Sequence, residues 1–145
     1  MKRITSIIAL VMVVLLGPNV SHGLPILVTN SEEIKTSIKS VITDQIKAFE
    51  VKDEDRAYYH ASTAIKLIFK NSGIFCNMVK NSYPMIWAPK SYQFLETAVY
   101  DGKALQRMMF TDSVGDIHFF DYAMEPFEKR WVIAGVFPVS QGSGA

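Results

Sequence analysis

No constellation of acid–base residues stands out in this chain, and the candidates are single side chains. Asp121 lies between Phe120 and Tyr122 in a strand-like run. If its face is interior, the carboxyl is buried, its pKa is raised, and it is a candidate general base. If its face is outward, it is an ordinary solvated acid or an interface residue. His118, in the same run, is the second candidate, and Tyr122 is the third, as a phenol that could donate to a ligand. Tyr58, Tyr59, Tyr83, Tyr92 and Tyr100 offer the same group, although tyrosines more often pack their rings and turn the hydroxyl to water or backbone. For a ligand held by apolar contact, the candidates are Tyr58, Phe75 and Trp131.

Other chemistries find little support. His60 and His118 fall on distant elements with no third ligand at metal spacing. The expectation is a surface His60, a rim His118, no metal site and no cofactor. Asp53, Glu54 and Asp55 are adjacent, but the run has no EF-hand spacing and no glycine at the bend, so they read as a solvated helix start. Cys76 is the single cysteine, which excludes an intramolecular disulfide. Its neighbours Ile74, Phe75, Met78 and Val79 mark it as a buried small hydrophobe rather than a reactive thiol. No serine sits in a nucleophile elbow and no glycine loop could cradle a phosphate.

The elements that must position these residues divide into two halves. Residues 24–30 read as an extended leader, with Asn30 capping a helix and Glu33 as its capping-box partner. Ile34, Ile38, Val41, Ile42, Gln45, Ile46 and Phe49 then repeat at helical spacing, opposite Lys35, Lys39, Asp44 and Lys47. Helices are expected over residues 31–50, 53–61, 63–71 and 74–82, the third ended by Asn71-Ser72-Gly73 and the fourth by Pro84. Residues 84–91 are a connector.

The second half is rich in aromatic and β-branched residues. Strands are expected over about 92–100, 103–111, 116–124 and 130–139. Asp101-Gly102 marks a type I′ hairpin, Asp112 to Gly115 a second turn, and Pro126 a third; the tail from Gln141 to Ala145 frays. Helices followed by four strands on short turns predict an α+β architecture, with N-terminal helices packed on a curved four-stranded antiparallel meander. No crossover is long enough for parallel strands.

The alternation raises a question about the sheet's second face. Ile117, Phe119, Asp121 and Ala123 share one side of the third strand, and His118, Phe120, Tyr122 and Met124 the other. Both are largely apolar, where a half-wet sheet alternates more cleanly. Trp131 is expected as core or pocket wall, on the face of Ile133 and Phe137.

Residues 1–23 read as a secretory signal peptide. Lys2 and Arg3 precede the uncharged run Ile7 to Leu16, Gly17-Pro18 breaks it, and Ser21-x-Gly23 suits a signal peptidase cutting before Leu24. The run is too short for a spanning helix, so no stable membrane insertion is expected after cleavage. Residues 24–145 then form a single exported domain, periplasmic or secreted. Loss of Lys2 and Arg3 turns a formal charge of +1 negative, which leaves no basic excess to attract nucleic acid.

Several short patterns occur in a consistent order between residues 41 and 142: Gln45-Ile46-x-Ala48-Phe49, Ala57-Tyr58, Ala61-Ser62-x-x-Ile65, Phe69, Phe75-x-x-Met78-Val79, Tyr83-Pro84, Gly115 and Trp131-x-Ile133-x-Gly135. In these the chain resembles a family catalogued only as domain of unknown function 4864. That family is similar to the nuclear-transport-factor-2-like, cystatin-like α+β rolls, in which a long helix and shorter ones close a curved sheet into a cone. The resemblance implies a fold and no chemistry. The pocket acids, bases and tyrosines of isomerase or dehydratase rolls align with no residue here.

The leading expectation is therefore an exported roll without catalytic activity that binds an apolar small molecule or protein partner through the cone mouth or sheet face. Nine Phe, seven Met and six Tyr motivate it. The alternatives are an isomerase or lyase using Asp121 or His118 with a tyrosine, and a structural homodimer through the outer sheet face.

Overall fold

The computed structural model describes the backbone of residues 23–140 and the side chains of residues 31–140. The signal peptide assigned to residues 1–23 and the frayed tail lie, but for Gly23, outside the described residues. Among the described residues, no helix is long and apolar enough to cross a membrane.

The chain begins with one long helix, α1 (Gly23–Glu50), followed by α2 (Glu54–Tyr59), α3 (Thr63–Phe69), α4 (Ser72–Ser82) and α5 (Pro84–Trp87). Four strands follow: β1 (Ser91–Tyr100), β2 (Lys103–Thr111), β3 (Ile117–Phe127) and β4 (Arg130–Pro138). They form one sheet in the order β1-β2-β3-β4, antiparallel throughout. The chain is thus an α+β domain of N-terminal helices and an open antiparallel meander, as its periodicity predicts.

The differences from the sequence reading are local. Residues 24–30 are helical rather than extended, and Asn30 lies inside α1 rather than at its cap. Pro25 falls in the first turn, where a missing N–H breaks no helical bond. Asn71 does not end α3. It caps α4, its Oδ1 accepting from Ile74 N at 2.8 Å, while Lys70, at φ 65°, turns the chain out of α3. Residues 84–91 are not wholly connector, because Pro84 opens the single turn of α5. Pro126 belongs to β3 opposite Trp131, beyond the last β2 pairing, where no ladder bond to β2 needs its N–H. The turn itself is Glu128-Lys129.

The remaining turns match their chemistry. Asp53 caps α2 and Ser62 caps α3. Asp101 and Gly102 take φ of 51° and 70°, both positive as a type I′ hairpin requires. Asp112 Oδ1 accepts from the backbone N–H groups of Val114, Gly115 and Asp116, which fixes the β2–β3 turn.

The helices cover one face of the sheet. Ile38, Ile42, Ile46 and Phe49 from α1, with Phe75 and Val79 from α4, pack on Met108, Phe110, Phe120, Tyr122, Met124 and Ile133. Each such side chain contributes roughly 1.5–3 kcal/mol by leaving water. The opposite face carries Leu105, Arg107 and Met109 from β2 and Ile117, Phe119 and Asp121 from β3, all at least partly exposed.

Two bulges reshape the edges. On β1, the irregularity between Phe94 and Thr97 frees the Leu95 and Glu96 carbonyls, and the fully buried Gln106 donates its amide to both. On β4, Ala134 is the extra residue between Ile133, opposite Met124, and Gly135, opposite Ala123. A bulge inverts the facing of every later residue. Val136 therefore lies opposite buried Tyr122, and Phe137 lies opposite Asp121. The expectation that Phe137 shares a face with Trp131 and Ile133 fails for this reason. The outer edge of β4 is covered by the α2–α3 connector: Ile133 N donates to His60 O and Ser62 N to Ile133 O, both at 2.8 Å. This gives an isolated parallel bridge between Ala61 and Ile133, which short-turn reasoning cannot foresee.

Candidate functional site

Between the helices and the β3–β4 half of the sheet lies a cavity of about 300 Å³. Phe49 from α1, Ile65 and Phe69 from α3, Phe75, Met78 and Val79 from α4, and Ile133 and Val136 from β4 supply most of its wall. The elements place these side chains by simple periodicity. Phe75, Met78 and Val79 are one face of α4, and Ile65 and Phe69 are one stripe of α3. Phe75 is the hub of an aromatic cluster, with ring centroids 6.4 Å from Phe49, 5.5 Å from Tyr58 and 5.8 Å from Phe69. Phe137, 56% exposed, stands at the rim with half-buried Ile65 and Phe69. Its ring lies over Gly135, so close that a Cβ there would meet it at 2.8 Å.

Three residues bring polar side chains to this wall: Gln45, Tyr83 and Tyr122. Gln45 is buried and donates its amide to the Ala57 carbonyl at 3.1 Å. Tyr122 is fully buried, and among the described residues its hydroxyl has no hydrogen-bond partner. Gln106, directly opposite Tyr122 in the sheet, gives its amide to the β1 bulge, and its carbonyl accepts from Thr97. Burial raises the Tyr122 pKa far above the ordinary phenol value, so the group stays neutral. A buried hydroxyl left unpaired costs about 1–3 kcal/mol.

The residues singled out by sequence divide between this cavity and other places. Phe75 and Tyr122 line it. Tyr58 packs behind Phe75 and donates its hydroxyl to Lys66 O at 3.1 Å. Trp131 is half-buried against the core but lines a separate groove with Ser37, Val41 and Arg130. Asp121 is on the outer face of the sheet, where Arg107 Nε and Nη2 each bond one of its carboxylate oxygens at 2.9 Å. His118 is half-buried beside the β2–β3 turn, its Nε2 2.8 Å from Asp112 Oδ2. That contact, with the turn's backbone N–H groups, lowers the Asp112 pKa. Asp121, His118 and Tyr122 are close in sequence but do not converge on one site.

His60 is not a surface residue. It is 8% exposed, and its Nε2 lies 2.7 Å from Asp44 Oδ2. Arg56 donates to the same carboxylate through Nε and Nη2. The Arg56 hydrogen bond, and then that of His60, lower the Asp44 pKa to about 2. The sequence reading missed this cluster because Asp44, on the polar side of α1, reads as solvated. Arg56 and His60 reach it because α2 folds back beside α1. Cys76 is buried as expected, and burial, with Glu54 and Asp55 nearby, pushes its thiol up to about 12. It is therefore protonated and unreactive. Among the described residues no three His, Cys, Asp or Glu side chains gather as a metal set.

No curated protein and no solved structure matches this chain. One family model does, that of Domain of unknown function (DUF4864), and it covers residues 31–144, which takes in every wall of the cavity. The chain belongs to the DUF4864 family.

Proposed function

We propose that this protein is an exported binding protein whose cavity holds an apolar small molecule. The observation that carries the reading is the cavity itself: about 300 Å³, walled almost wholly by aromatic and aliphatic side chains. That volume is at the lower end for small-molecule sites, and a dry cavity of about half the size already accepts benzene. The long α1 across a four-stranded antiparallel sheet supports a nuclear-transport-factor-2-like, cystatin-like roll, in which such a space is the cone interior. Export rests on the sequence of residues 1–23.

The isomerase or lyase alternative needs an acid or base at the cavity. The lining has no carboxylate or imidazole, since Asp121 and His118 are held elsewhere by Arg107 and Asp112. The homodimer alternative rests on the outer sheet face, and there the Arg107–Asp121 pair interrupts the apolar residues.

Mass spectrometry of the protein purified from its native compartment tests the binding reading. An apolar molecule that co-purifies and is released on denaturation is the expected result. A protein that carries nothing, and whose tyrosine fluorescence is unmoved by any added apolar compound, overturns it.

A further inference from the structure

We propose that the bare side of α3, with the cations beside it, docks this protein on an anionic lipid surface. The inference goes beyond the cavity reading and does not depend on it. One side of α3 faces the cavity, where Ile65 and Phe69 form part of the wall. The other side is bare. Ala64, Leu67 and Ile68 stand at i, i+3 and i+4, so they share a face, and all three are exposed, Leu67 at 75% and Ile68 at 69%. A helix apolar on both sides belongs in an interior, yet no residue of α3 is buried. Exposed apolar side chains grouped in this way mark an interaction surface.

The charges beside this face select the partner. Lys66 of the same helix and Arg130 of β4 converge on Tyr59. Lys66 Nζ and Arg130 Nη1 donate to its carbonyl at 3.4 and 3.3 Å. The centroid of its ring lies 5.8 Å from the Lys66 nitrogen and 4.0 Å from the Arg130 guanidinium carbon. Among the described residues no carboxylate pairs with either cation. Burial first, and the charge of Arg130 second, lower the Lys66 pKa, so the two cations feel each other. Arg130 also lies 5.4 Å from the ring of Phe127, which is 40% exposed. The surface thus runs from Leu67 through Lys66, Tyr59 and Arg130 to Phe127. Apolar tips for the acyl boundary, rings at headgroup depth and unpaired cations for phosphates are the parts of an interfacial site. The acids in these elements stand apart or are offset: Glu54 and Asp55 open α2 whereas Tyr59 closes it, and Glu128 in the β3–β4 turn has Lys129 next to it.

Co-sedimentation of the purified protein with vesicles of mixed phosphatidylglycerol and phosphatidylcholine, against vesicles of phosphatidylcholine alone, tests this. The expected result is binding to the anionic vesicles that weakens as salt rises. Lys66→Gln and Arg130→Gln should each lower it about fivefold. Leu67→Ser combined with Ile68→Ser should lower it about tenfold or more. Circular dichroism checks that each variant is folded. No binding of the parent protein to anionic vesicles overturns the proposal and leaves the cavity reading standing. Binding that none of these substitutions weakens places the contact elsewhere and overturns it too. Equal binding to both kinds of vesicle overturns the anionic class. A dimer of the parent protein that the Leu67→Ser, Ile68→Ser pair disperses gives the face to a second copy instead.

Discussion

Arg107 grips Asp121 at both carboxylate oxygens, each at 2.9 Å, across the β2–β3 pairing on the face of the sheet that the helices leave uncovered. A third contact, Arg107 Nη1 to Glu96 Oε1 at 3.0 Å, extends the pair toward β1. This geometry places the Asp121 carboxylate outside the cavity, paired with a guanidinium on the outer face of the sheet.

Asp121→Asn should accordingly leave ligand uptake unchanged. The pair is partly exposed, with side-chain exposures of 36% for Arg107 and 21% for Asp121, so the stability loss should be at most about 1 kcal/mol. Thermal denaturation and a binding titration check both. Loss of binding in a folded Asp121→Asn protein would mean that the carboxylate acts at the cavity after all.

Tyr122→Phe should hold or raise the stability of the ligand-free protein. The substitution removes a buried hydroxyl that has no partner and keeps the ring, whose centroid lies 6.3 Å from Phe110. Relief of the unpaired group is worth on the order of 1 kcal/mol. Urea denaturation measures it. A loss of 2 kcal/mol or more would show that the hydroxyl is hydrogen-bonded in solution.

Gly102→Val should destabilise the domain by about 1–3 kcal/mol, because a β-branched residue is forced to the φ of 70° that the hairpin holds. No atom lies near enough to obstruct the new side chain, so the effect would be conformational rather than steric. Gly73→Ala is the control. Its Cβ would meet Asn71 and Glu54 at an ordinary 3.5 Å inside α4, and stability should be kept. An unchanged melting temperature for Gly102→Val would remove the type I′ assignment.

How much of this was legible in the sequence follows from what periodicity encodes. Asp101-Gly102 names its own turn, and alternation in β3 sets Phe120, Tyr122 and Met124 on one face and Phe119 and Asp121 on the other, but both faces are largely apolar and the pattern does not say which is inward. Alternation counts only pairs, however, and the single extra residue Ala134 reverses the facing of Phe137 without any signal in the local pattern. The cavity was illegible for a related reason. Phe49, Phe69, Phe75 and Val79 all announce burial, but a residue that faces a void has the same hydrophobic signature as one that faces a neighbour. The Asp44–His60–Arg56 cluster was hidden because it is assembled by the return of α2 along α1, a tertiary event.

That cluster gives the fold an acid-sensitive contact. Arg56, and then His60, hold the Asp44 pKa down to about 2, so the charged carboxylate favours the folded state. The sign follows from linkage. A lowered acid contributes its full stabilisation above its unfolded pKa of about 3.9 and loses it as pH falls toward 2. The urea midpoint of the parent protein should therefore drop more steeply between about pH 4 and pH 2 than that of Asp44→Asn. Glu32 and Asp112 are also lowered and are present in both proteins, so the difference between the two curves isolates Asp44. Parallel curves would mean that the ion pair is not formed in solution.

The outer sheet face decides association, and its register shows how. On one side of the ion pair lie Ala98, Leu105 and Ala123, paired across three strands. On the other lie Met109 and Phe119, then Thr111 and Ile117. Leu105 is 45% exposed and Ile117 49%, but Glu96, Arg107 and Asp121 run between the two strips. Placing that row against a second copy would strip water from three charges already paired with each other, a cost that modest apolar strips do not repay. Contiguity is what makes an apolar patch adhesive, and here it is broken. The expected outcome is a monomer in sedimentation equilibrium at micromolar concentration. Arg107→Leu combined with Asp121→Leu joins the strips and should drive self-association in the same measurement. A dimer already formed by the parent protein, and dispersed by Leu105→Lys, would overturn this account and give the outer face to a homodimer.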